Sequence, residues 1–580
     1  MSGASGATAT ERVRAALARI AQVDRPEVFI DLRPDDDLLA DAARVDERVA
    51  AGEHLPLAGL VAAVKGNIAV AGLPTTAGCP SFADGPAPAD ATAVARLRDA
   101  GAVVLGTTNL DQFATGLVGT RSPYGAVRHA TAPDRISGGS SSGSAVAVAL
   151  GIADLALGTD TAGSGRVPAA LHGLVGVKPT RGLVPVTGVV PACRTLDCVS
   201  VFADTVALAE RVLGVLAGPD GTDPLARTGA AVAVTTGPGV VGVPDTAALG
   251  ALAPGWATAF ERAATDLRAA GVRTVPVDID PLLAAARLLY DGAFVAERYA
   301  AVGTFVSTHP DAVDPVVGGI IRAAGELPAH RYFTDLETLD ELRLAAARRL
   351  AGLDAVLLPT TTQHPTLAAV RADPVRVNSD LGRFTNFANL LDLAAVAVPA
   401  GEVDGLPFGV QLCGPAFSDA RLAGLGRLLT GEPAGDRPVR GTGAATVPLA
   451  VVGAHLRGQP LNGELTGRGG TFVGTTTTAP EYRLHALSTT PAKPGLERVE
   501  QGGSRIEVEV WALPPAGFAE LVAALPHPMA IGPVRLADGA TVSGFLCEPL
   551  ALHDARDITT TGGWRRHLAG LAGADPAGAA

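Results

Sequence analysis

The sequence predicts an α/β protein with a large first domain and a smaller α+β domain after it. A chain of 580 residues is too long for one ordinary domain, because domains average about 150 residues. Strand-like and helix-like patterns alternate over roughly 350 residues, which is typical of a large sheet covered by helices. Residues 431–447 are rich in Gly, Pro and Thr and follow neither a strand nor a helix period, so they predict a linker.

The first domain opens with an amphipathic helix at 11–22, in which Val13, Leu17 and Ile20 share one stripe. Alternating elements follow, and together they indicate one α/β domain around a large sheet. The pattern predicts a buried strand entering a loop at 60–70, a helix at 91–100, a short strand at 102–106, a Gly/Ser loop feeding an Ala/Val helix at 138–151, and an apolar run at 152–158 that leads into a polar Gly loop.

The second domain is predicted from apolar strands at 449–453 and 505–511. In the later strand Ile506, Val508 and Val510 alternate with polar or aromatic residues, which is the period of a half-buried strand. We therefore expect a first domain over 1–430, a linker over 431–447, an α+β domain over 448–571 and a flexible tail over 572–580.

The net charge excludes some classes of partner. Lys and Arg number 46 against 58 Asp and Glu, which gives a net charge of −12. Such a chain repels phosphate at long range, so neither nucleic acid nor an anionic membrane surface is an expected partner. A small anionic substrate stays possible, because a single Arg or Lys can override the average locally.

The cysteines and the apolar runs predict a soluble cytoplasmic protein. Five cysteines are an odd and sparse set for this length, which fits buried thiols in a reducing compartment better than disulfides. The N-terminus lacks the pattern of a secretion signal. The longest apolar runs, such as 144–152, are too short to span a bilayer.

Three short stretches stand out as carriers of chemistry: VKGN at 64–67, SGGSSSGS at 137–144 and GTDTAGSGR at 158–166. Each alone is typical of a turn. Neither Gly loop matches the phosphate-binding patterns GxxxxGK[ST] or GxGxxG, and no cluster of His and carboxylates has metal-ligand spacing. We therefore expect neither a cofactor nor a metal.

Taken together, the three stretches indicate an acyl hydrolase with a Ser nucleophile and a Lys base. No His lies in any of them. A Lys can act as the base if burial lowers its pKa, and the apolar residues 60–64 lead directly into one. A Gly-rich loop also leaves backbone N–H groups free to stabilise an oxyanion.

In this order and spacing the stretches resemble the amidase signature family, as do RVP at 166–168 and GVKPT at 176–180. The resemblance implies a central mixed sheet flanked by helices and a Ser–cis-Ser–Lys triad. It assigns the base to Lys65, the cis-Ser to Ser140 and the nucleophile to Ser164, with an oxyanion hole formed by the N–H groups of Thr161, Ala162, Gly163 and Ser164.

Four other polar features are expected to be structural. Asp160 should fix the backbone of the oxyanion loop, and Arg166 should position that loop. His364 is expected in a loop near the pocket, and residues 565–567 (RRH) are expected on a solvated helix face.

Further stretches are similar to one branch of this family, the allophanate hydrolases. They are LYDGAFVAERY at 289–299, residues 376–399, and parts of the second domain at 451–465, 505–513 and 562–568. The resemblance implies that Tyr290 and Arg298 hold the carboxylate of allophanate, which is urea bearing a carboxylate. On one continuous helix the two residues would be about 12 Å apart, so they could meet one ligand only from opposite sides.

By the same resemblance, the second domain has a fold like the γ-glutamylcyclotransferases, and it has been linked to decarboxylation of the product in some members. His455, directly after the strand at 449–453, is the residue to which such a role would fall. A purely structural histidine is the alternative, and the domain could equally serve assembly.

The function expected is cleavage of allophanate to ammonia and N-carboxycarbamate, which ends as ammonia and CO2. The protein would then act after a biotin-dependent urea carboxylase, and a homodimer is expected because such dimers are the commonest oligomers. One alternative is a broader-range amidase acting on neutral amides. Another is an amidotransferase-type subunit that delivers ammonia to tRNA-linked substrates, and a non-catalytic scaffold would require loss of the triad.

Overall fold

The computed structural model describes residues 7–228, 239–433 and 446–572, which fall into two compact units. The first unit comprises the described residues up to 433, and the second comprises 446–572. Most of the predicted linker at 431–447 and nearly all of the predicted tail at 572–580 lie outside the described residues.

The first unit contains an 11-stranded sheet with parallel and antiparallel pairs, in the order β1-β3-β2-β4-β6-β5-β10-β11-β9-β7-β8. This confirms the central mixed sheet expected from the sequence. Its strands are β1 (Phe29–Leu32), β2 (Val61–Lys65), β3 (Val103–Thr108), β4 (Leu155–Thr159), β5 (Val175–Lys178), β6 (Val199–Ala203), β7 (Val240–Val243), β8 (Arg273–Pro276), β9 (Ala355–Pro359), β10 (Leu393–Val403) and β11 (Leu406–Pro415).

Helices flank this sheet, as an α/β fold requires. They are α1 (Ala9–Val23), α2 (Asp35–Ala50), α3 (Thr92–Asp99), α4 (Ser142–Ala149), α5 (Arg166–Leu171), α6 (Val206–Leu216), α7 (Trp256–Ala269), α8 (Asp280–Asp291), α9 (Ala296–Thr308), α10 (Pro315–Gly325), α11 (Ala329–Leu350), α12 (Leu367–Ala372), α13 (Arg376–Leu381), α14 (Phe387–Leu390) and α15 (Asp419–Thr430).

The central strands and α4 are buried, which explains their apolar sequences. Every residue of β2, β4 and β6 is buried. Strands covered on both faces read as continuous apolar runs rather than as alternating patterns. The helix α4 is buried from Ser142 to Val148, so it needs small or apolar residues on every side.

The treatment of 289–299 as one continuous helix was wrong. The helix α8 ends at Asp291, and Gly292 takes an extended conformation with φ −99° and ψ −178° before α9 begins. Asp335 of α11 accepts a hydrogen bond at 2.7 Å from the N–H that follows this glycine, which fixes the break. The chain turns between Tyr290 and Arg298, so both can face one site from the same side.

The second unit is an α+β arrangement with a five-stranded sheet, in the order β13-β16-β12-β18-β17, and a three-stranded sheet, in the order β15-β14-β19. A separate apolar core fills it. Its elements are β12 (Val447–Val451), α16 (Asn462–Gly467), β13 (Thr471–Thr477), β14 (Tyr482–Leu487), β15 (Lys493–Arg498), β16 (Glu507–Leu513), α17 (Pro515–Ala523), β17 (Met529–Arg535), β18 (Thr541–Cys547), β19 (Arg556–Asp557) and α18 (Trp564–Ala572).

One sequence expectation for this unit was wrong in part, and it concerns residues 565–567 around a buried carboxylate. Glu509 of β16 is fully buried. It accepts hydrogen bonds from the N–H of Arg457 at 2.9 Å and from the guanidinium of Arg565 at 2.8 Å. A buried carboxylate needs such partners, so Arg565 is half-buried in an ion pair and His567 is buried, whereas Arg566 is exposed as expected.

Within the described ranges, no helix combines the length and the apolar character that crossing a membrane requires. All five cysteines are free thiols, and four of them are buried.

Candidate active site

Two parallel strands bring the predicted base to the edge of the sheet. The strands β2 and β4 are parallel neighbours, so their carboxyl ends, Lys65 and Thr159, lie side by side. Ser140 lies in the loop that precedes α4, and Ser164 lies in the loop between β4 and α5. The three stretches singled out in the sequence therefore converge at one edge of the sheet.

A continuous line of short contacts joins the three residues. Lys65 Nζ lies 2.8 Å from Ser140 Oγ and 2.7 Å from Thr159 Oγ1. The hydroxyl of Ser140 donates to Ser164 Oγ at 2.9 Å. The peptide bond between Gly139 and Ser140 is cis. This arrangement can carry a proton away from the hydroxyl of Ser164.

Burial tunes the lysine for this task. Lys65 is fully buried, and loss of solvation lowers its pKa from the usual 10.5 to about 7. The carboxylates of Asp111, Asp197 and Asp160 oppose that shift, whereas the charge of Arg298 adds to it. At neutral pH a large fraction of Lys65 is therefore neutral and able to accept a proton.

The loop before Ser164 offers backbone donors. The N–H groups of Thr161, Ala162 and Ser164 have no acceptor among the described residues. The N–H of Gly163 donates to Asp160 Oδ1 at 2.8 Å, so in this conformation it is engaged and not available to an oxyanion. Three of the four N–H groups expected from the sequence are thus available in this conformation, and their role as an oxyanion hole stays a prediction.

A buried ion pair stabilises the loop before Ser164. Asp160 and Arg166 are fully buried and share two contacts of 2.9 Å. Arg166 also donates to Gln411 of β11 at 2.9 Å and to the carbonyl of Thr385 at 3.0 Å. The amide of Asn389 donates to the carbonyl of Asp160 at 2.7 Å. Because the Arg166 guanidinium lies against the Asp160 carboxyl, it helps to hold the pKa of that carboxyl below its usual value despite burial.

Two further buried carboxylates order the surroundings. Asp197 accepts a hydrogen bond from the hydroxyl of Thr161 in the oxyanion loop. Asp111 accepts three backbone N–H groups of residues 118–121, and its own N–H donates to the carbonyl of Ser140 at 3.1 Å. Neither Asp111 nor Asp197 could be selected from the sequence, because each is a single carboxylate in a stretch of mixed polar and apolar residues.

Arg298 supplies a buried positive charge next to this site. Its guanidinium is buried and donates to Thr115 Oγ1 at 2.8 Å, but Arg298 Nε has no acceptor in the described parts of the chain. No carboxylate there lies within ion-pair distance of it, although Asp197 is close enough to stabilise its charge. Its Cζ atom lies 5.9 Å from the centre of the Tyr290 ring. A buried guanidinium with spare donors is suited to bind an anionic ligand.

His364 belongs to a buried histidine cluster rather than to the triad. Its ring lies edge-on to His129 at 4.9 Å, and His129 stacks on His172 at 4.3 Å. Each ring places one nitrogen near a backbone carbonyl. Burial lowers the pKa of all three, that of His364 to about 4.

His455 lines a cavity of about 310 Å³ in the second unit. Its ring stacks on Phe545 at 4.6 Å, and its Nε2 lies 3.4 Å from a carboxylate oxygen of Glu464. Burial lowers the pKa of His455. Arg468 and Lys493 line the same cavity, and so does Glu464, which lies 3.9 Å from the Arg468 guanidinium.

Comparison with protein families agrees with this geometry. The family model named Amidase matches residues 11–423, and the model of the allophanate hydrolase C-terminal domain matches residues 447–569. A solved structure, selenomethionine-substituted Kluyveromyces lactis allophanate hydrolase, is 40% identical, covers 98% of both chains and superimposes with a TM-score of 0.75.

Individual relatives are similar over different lengths. Urea amidolyase of Lachancea kluyveri is 43% identical over 564 residues, which is 91% of this chain and 30% of that protein. This chain therefore spans about 30% of the length of the urea amidolyases, which are the curated relatives that match it over the most residues. A glutamyl-tRNA(Gln) amidotransferase component of Halobacterium salinarum is 38% identical over 396 residues, which is 63% of this chain and 93% of that component.

These matches confirm the resemblance inferred from the three sequence stretches. With a family model covering most of its length, the chain belongs to the amidase family, and it carries after its amidase domain a domain of the allophanate hydrolase C-terminal family.

Proposed function

We propose that this protein hydrolyses allophanate to ammonia and N-carboxycarbamate. The observation that carries the proposal is Arg298, a buried guanidinium without a carboxylate partner in the described residues, next to a Lys–Ser–Ser relay. A site for a neutral amide has no need of that charge, and burying an unpaired cation is costly unless a ligand compensates it. The similarity to an allophanate hydrolase over 98% of both chains supports the same substrate.

In the proposed reaction neutral Lys65 takes a proton from Ser140, which in turn takes the proton of Ser164. The Ser164 oxygen attacks the terminal amide carbonyl of allophanate, and the resulting oxyanion receives hydrogen bonds from the N–H groups of Thr161, Ala162 and Ser164. The proton returns through Ser140 to the departing nitrogen, which leaves as ammonia. Water then attacks the acyl-enzyme by the same relay and releases N-carboxycarbamate.

Tyr290 and Arg298 would hold the substrate during these steps. Arg298 can give two parallel hydrogen bonds to a carboxylate, and Tyr290 can add a third from its hydroxyl. Such a clamp fixes the distance from the carboxylate to the scissile carbonyl. It therefore selects a short amide with a carboxylate two atoms away.

For the second unit we propose a role in decarboxylating N-carboxycarbamate, with His455 as the central residue. The product carries two carboxylates, and the cavity wall offers two cations, Lys493 and Arg468, of which Glu464 compensates the second in part. The imidazolium form of His455, which the Glu464 carboxylate 3.4 Å away favours, can donate the proton that the nitrogen needs when CO2 leaves, and the imidazole then takes a proton back from water. The products of this step are carbamate and CO2, and carbamate then yields the second ammonia.

Allophanate must be supplied by carboxylation of urea, so we propose a functional link to a biotin-dependent urea carboxylase. The match to urea amidolyase supports that link, since the aligned part is only 30% of that protein. A cytoplasmic location and a homodimer also stay predictions. Five free thiols support the first, and light scattering of the purified protein tests the second.

Substrate preference tests the proposal. Ammonia release by the purified chain is measured with fresh allophanate, with the neutral diamide malonamide and with a simple acyl amide. We expect kcat/KM to be at least about 100-fold higher for allophanate, because a lost charge-assisted contact in a buried site costs several kcal/mol. Equal turnover of the neutral amides would favour a broader-range amidase, and no turnover unless a partner protein is added would favour the amidotransferase alternative.

A further inference from the structure

The proposed active site is closed to solvent, which raises the question of how a substrate enters. Lys65 and Ser140 are fully buried, and Ser164 and Arg298 are only 3% and 2% exposed. Tyr290 is half-buried, and it lines a cavity of about 430 Å³ that is open to the surface. We call this space the Tyr290 cavity.

The Tyr290 cavity lies next to the proposed site. Tyr290 itself packs beside Arg298 on the inner side. Asn386, which lines the cavity, follows directly after Thr385, whose hydroxyl donates to the carbonyl of Ala162 in the oxyanion loop at 2.7 Å. Residues of the cavity wall therefore lie beside Arg298 at the carboxylate end of the site and beside Thr385, which contacts the oxyanion loop.

Two groups on this wall have unused binding capacity. The Oδ1 atom of Asn386 is buried and accepts no hydrogen bond in the described residues, and the residue is 6% exposed. A buried amide oxygen without a donor favours a ligand that brings an N–H group. Arg287 of α8 is exposed on the cavity wall, and no carboxylate of the described chain lies within ion-pair distance of it.

The other charged groups of the wall differ in how far they are compensated. Asp380 is paired with Arg376 at 3.3 Å and lies 3.8 Å from Arg383, which also donates to two backbone carbonyls. Asp291, one helical turn from Arg287 on α8, is exposed and has no cationic partner in the described residues. Arg287 attracts an arriving anion, whereas Asp291 opposes it.

We propose that the Tyr290 cavity is the entrance to the active site and a binding site for small anionic amides. Arg287 receives the carboxylate, and Asn386 Oδ1 receives an amide N–H. The substrate then passes Tyr290 and exchanges Arg287 for Arg298. This inference rests on the proposed function for the identity of the substrate, but the recognition of a carboxylate can be tested without it.

The test uses charge changes of opposite sign on one helix. R287Q and D291N are compared with R262Q and D266N, which remove the same charges from exposed positions of α7 outside the cavity. At low ionic strength we expect R287Q to lower kcat/KM for allophanate about threefold to tenfold and D291N to raise it about twofold, with kcat unchanged. High salt should remove both effects, and malonamide turnover should not respond.

Calorimetric titration with malonate, a small dicarboxylate that is not hydrolysed, separates this inference from the proposed function. If allophanate is not hydrolysed while R287Q weakens and D291N strengthens malonate binding, the entrance site stands and the substrate assignment fails. If allophanate is hydrolysed while R287Q and D291N match their α7 controls, the entrance site is wrong and the proposed function stands.

Asn386→Ala tests the amide contact separately. We expect KM to rise for allophanate and malonamide together, while malonate, which has no amide, binds as tightly as before. Equal losses for malonate and allophanate would overturn the role of Asn386.

Discussion

At the scale of single residues, the chemistry depends on a lysine that is neutral near pH 7. Burial removes the water that would stabilise the ammonium ion of Lys65, and three carboxylates keep its pKa from falling further. Ser140 stands between Lys65 and Ser164, so a proton can pass along the line without movement of the backbone. The same burial that makes the base effective also closes the site.

The pH dependence of kcat/KM follows from this lysine. Only neutral Lys65 can accept a proton, and its pKa is about 7, so activity should fall by about tenfold per pH unit well below pH 7 and level off above it. Initial rates between pH 5 and pH 9 measure this. A profile that stays flat down to pH 5 would show that a group of lower pKa is the base. Lys65→Met should lower kcat by at least about 100-fold.

Removal of the buried charge of Arg298 should change the preference for a carboxylated substrate more than the rate of amide cleavage. R298Q removes the guanidinium, so we expect KM for allophanate to rise by about 100-fold. Malonamide turnover should be little affected when it is compared at pH 9, where Lys65 stays neutral even though loss of the Arg298 charge raises its pKa. R287Q provides a comparison at the exposed end of the proposed path. If R298Q reduces turnover of both substrates equally, Arg298 supports the fold rather than the carboxylate.

The residues that act directly could be found in the sequence, and the residues that position them could not. Lys65, Ser140 and Ser164 lie in short polar stretches that interrupt apolar ones, so local pattern is enough to select them. Asp197 and Asn389 act on the oxyanion loop across more than 30 residues of chain, and their partners are visible only in three dimensions. The hydrogen bond from the Gly163 N–H to Asp160 likewise depends on the conformation of the loop, which the sequence does not show.

At the scale of elements, the break between α8 and α9 decides the shape of the carboxylate site. A continuous helix would have separated Tyr290 and Arg298, but the extended Gly292 lets the chain turn. The sequence did not reveal this, because glycine within a helical pattern is also compatible with an unbroken helix. The buried acceptor on α11, Asp335, is what selects the break.

Gly292→Ala should therefore disturb recognition while leaving the relay intact. A Cβ atom there would lie 2.6 Å from the carbonyl oxygen of Leu288, so the end of α8 must shift. We expect KM for allophanate to rise by about tenfold or more, with malonamide turnover and labelling of Ser164 by a fluorophosphonate nearly unchanged. A loss of labelling would show instead that the break between α8 and α9 supports the geometry of the triad.

The histidine cluster joins three loops and should make the first unit sensitive to acid. Burial depresses the folded-state pKa of His129, His172 and His364, whereas in the unfolded chain each titrates near 6.5. The unfolded chain then binds more protons at low pH, so stability is complete above about pH 6.5 and falls towards pH 4. Urea unfolding at several pH values measures this. In His364→Gln the loss of unfolding free energy between pH 6.5 and pH 4 should be smaller by an amount of order 3 kcal/mol. An unchanged slope would rule out His364 as its source.

At the scale of the whole molecule, two units with separate cores hold two proposed sites. The sequence predicted both units, because the helical α/β pattern stops and an alternating strand pattern begins after it. Strand alternation in β16 does not reveal that Glu509 is a buried charge, because its partners Arg457 and Arg565 are distant in sequence. The domain boundary at 431–447 stays a prediction, since most of it lies outside the described residues.

If the two units perform successive steps, they can be separated by mutation. His455→Ala should leave the first ammonia release from allophanate unchanged, because that step depends on Ser164. We expect CO2 release to lag behind ammonia in this variant, since N-carboxycarbamate must then break down without catalysis. Simultaneous stopped-flow records of ammonia and CO2 measure the lag, and identical traces for the variant and the wild type would leave His455 a structural residue.

The central claim is that Ser164, activated through Ser140 and Lys65, cleaves allophanate. Ammonia release from freshly prepared allophanate by the purified wild type and by Ser164→Ala tests it most directly. We predict rapid turnover by the wild type and a loss of at least about 10⁴-fold in the variant, because removal of a nucleophile removes the covalent route entirely. Turnover of allophanate that survives in Ser164→Ala would contradict the mechanism, and absence of turnover in the wild type would contradict the substrate.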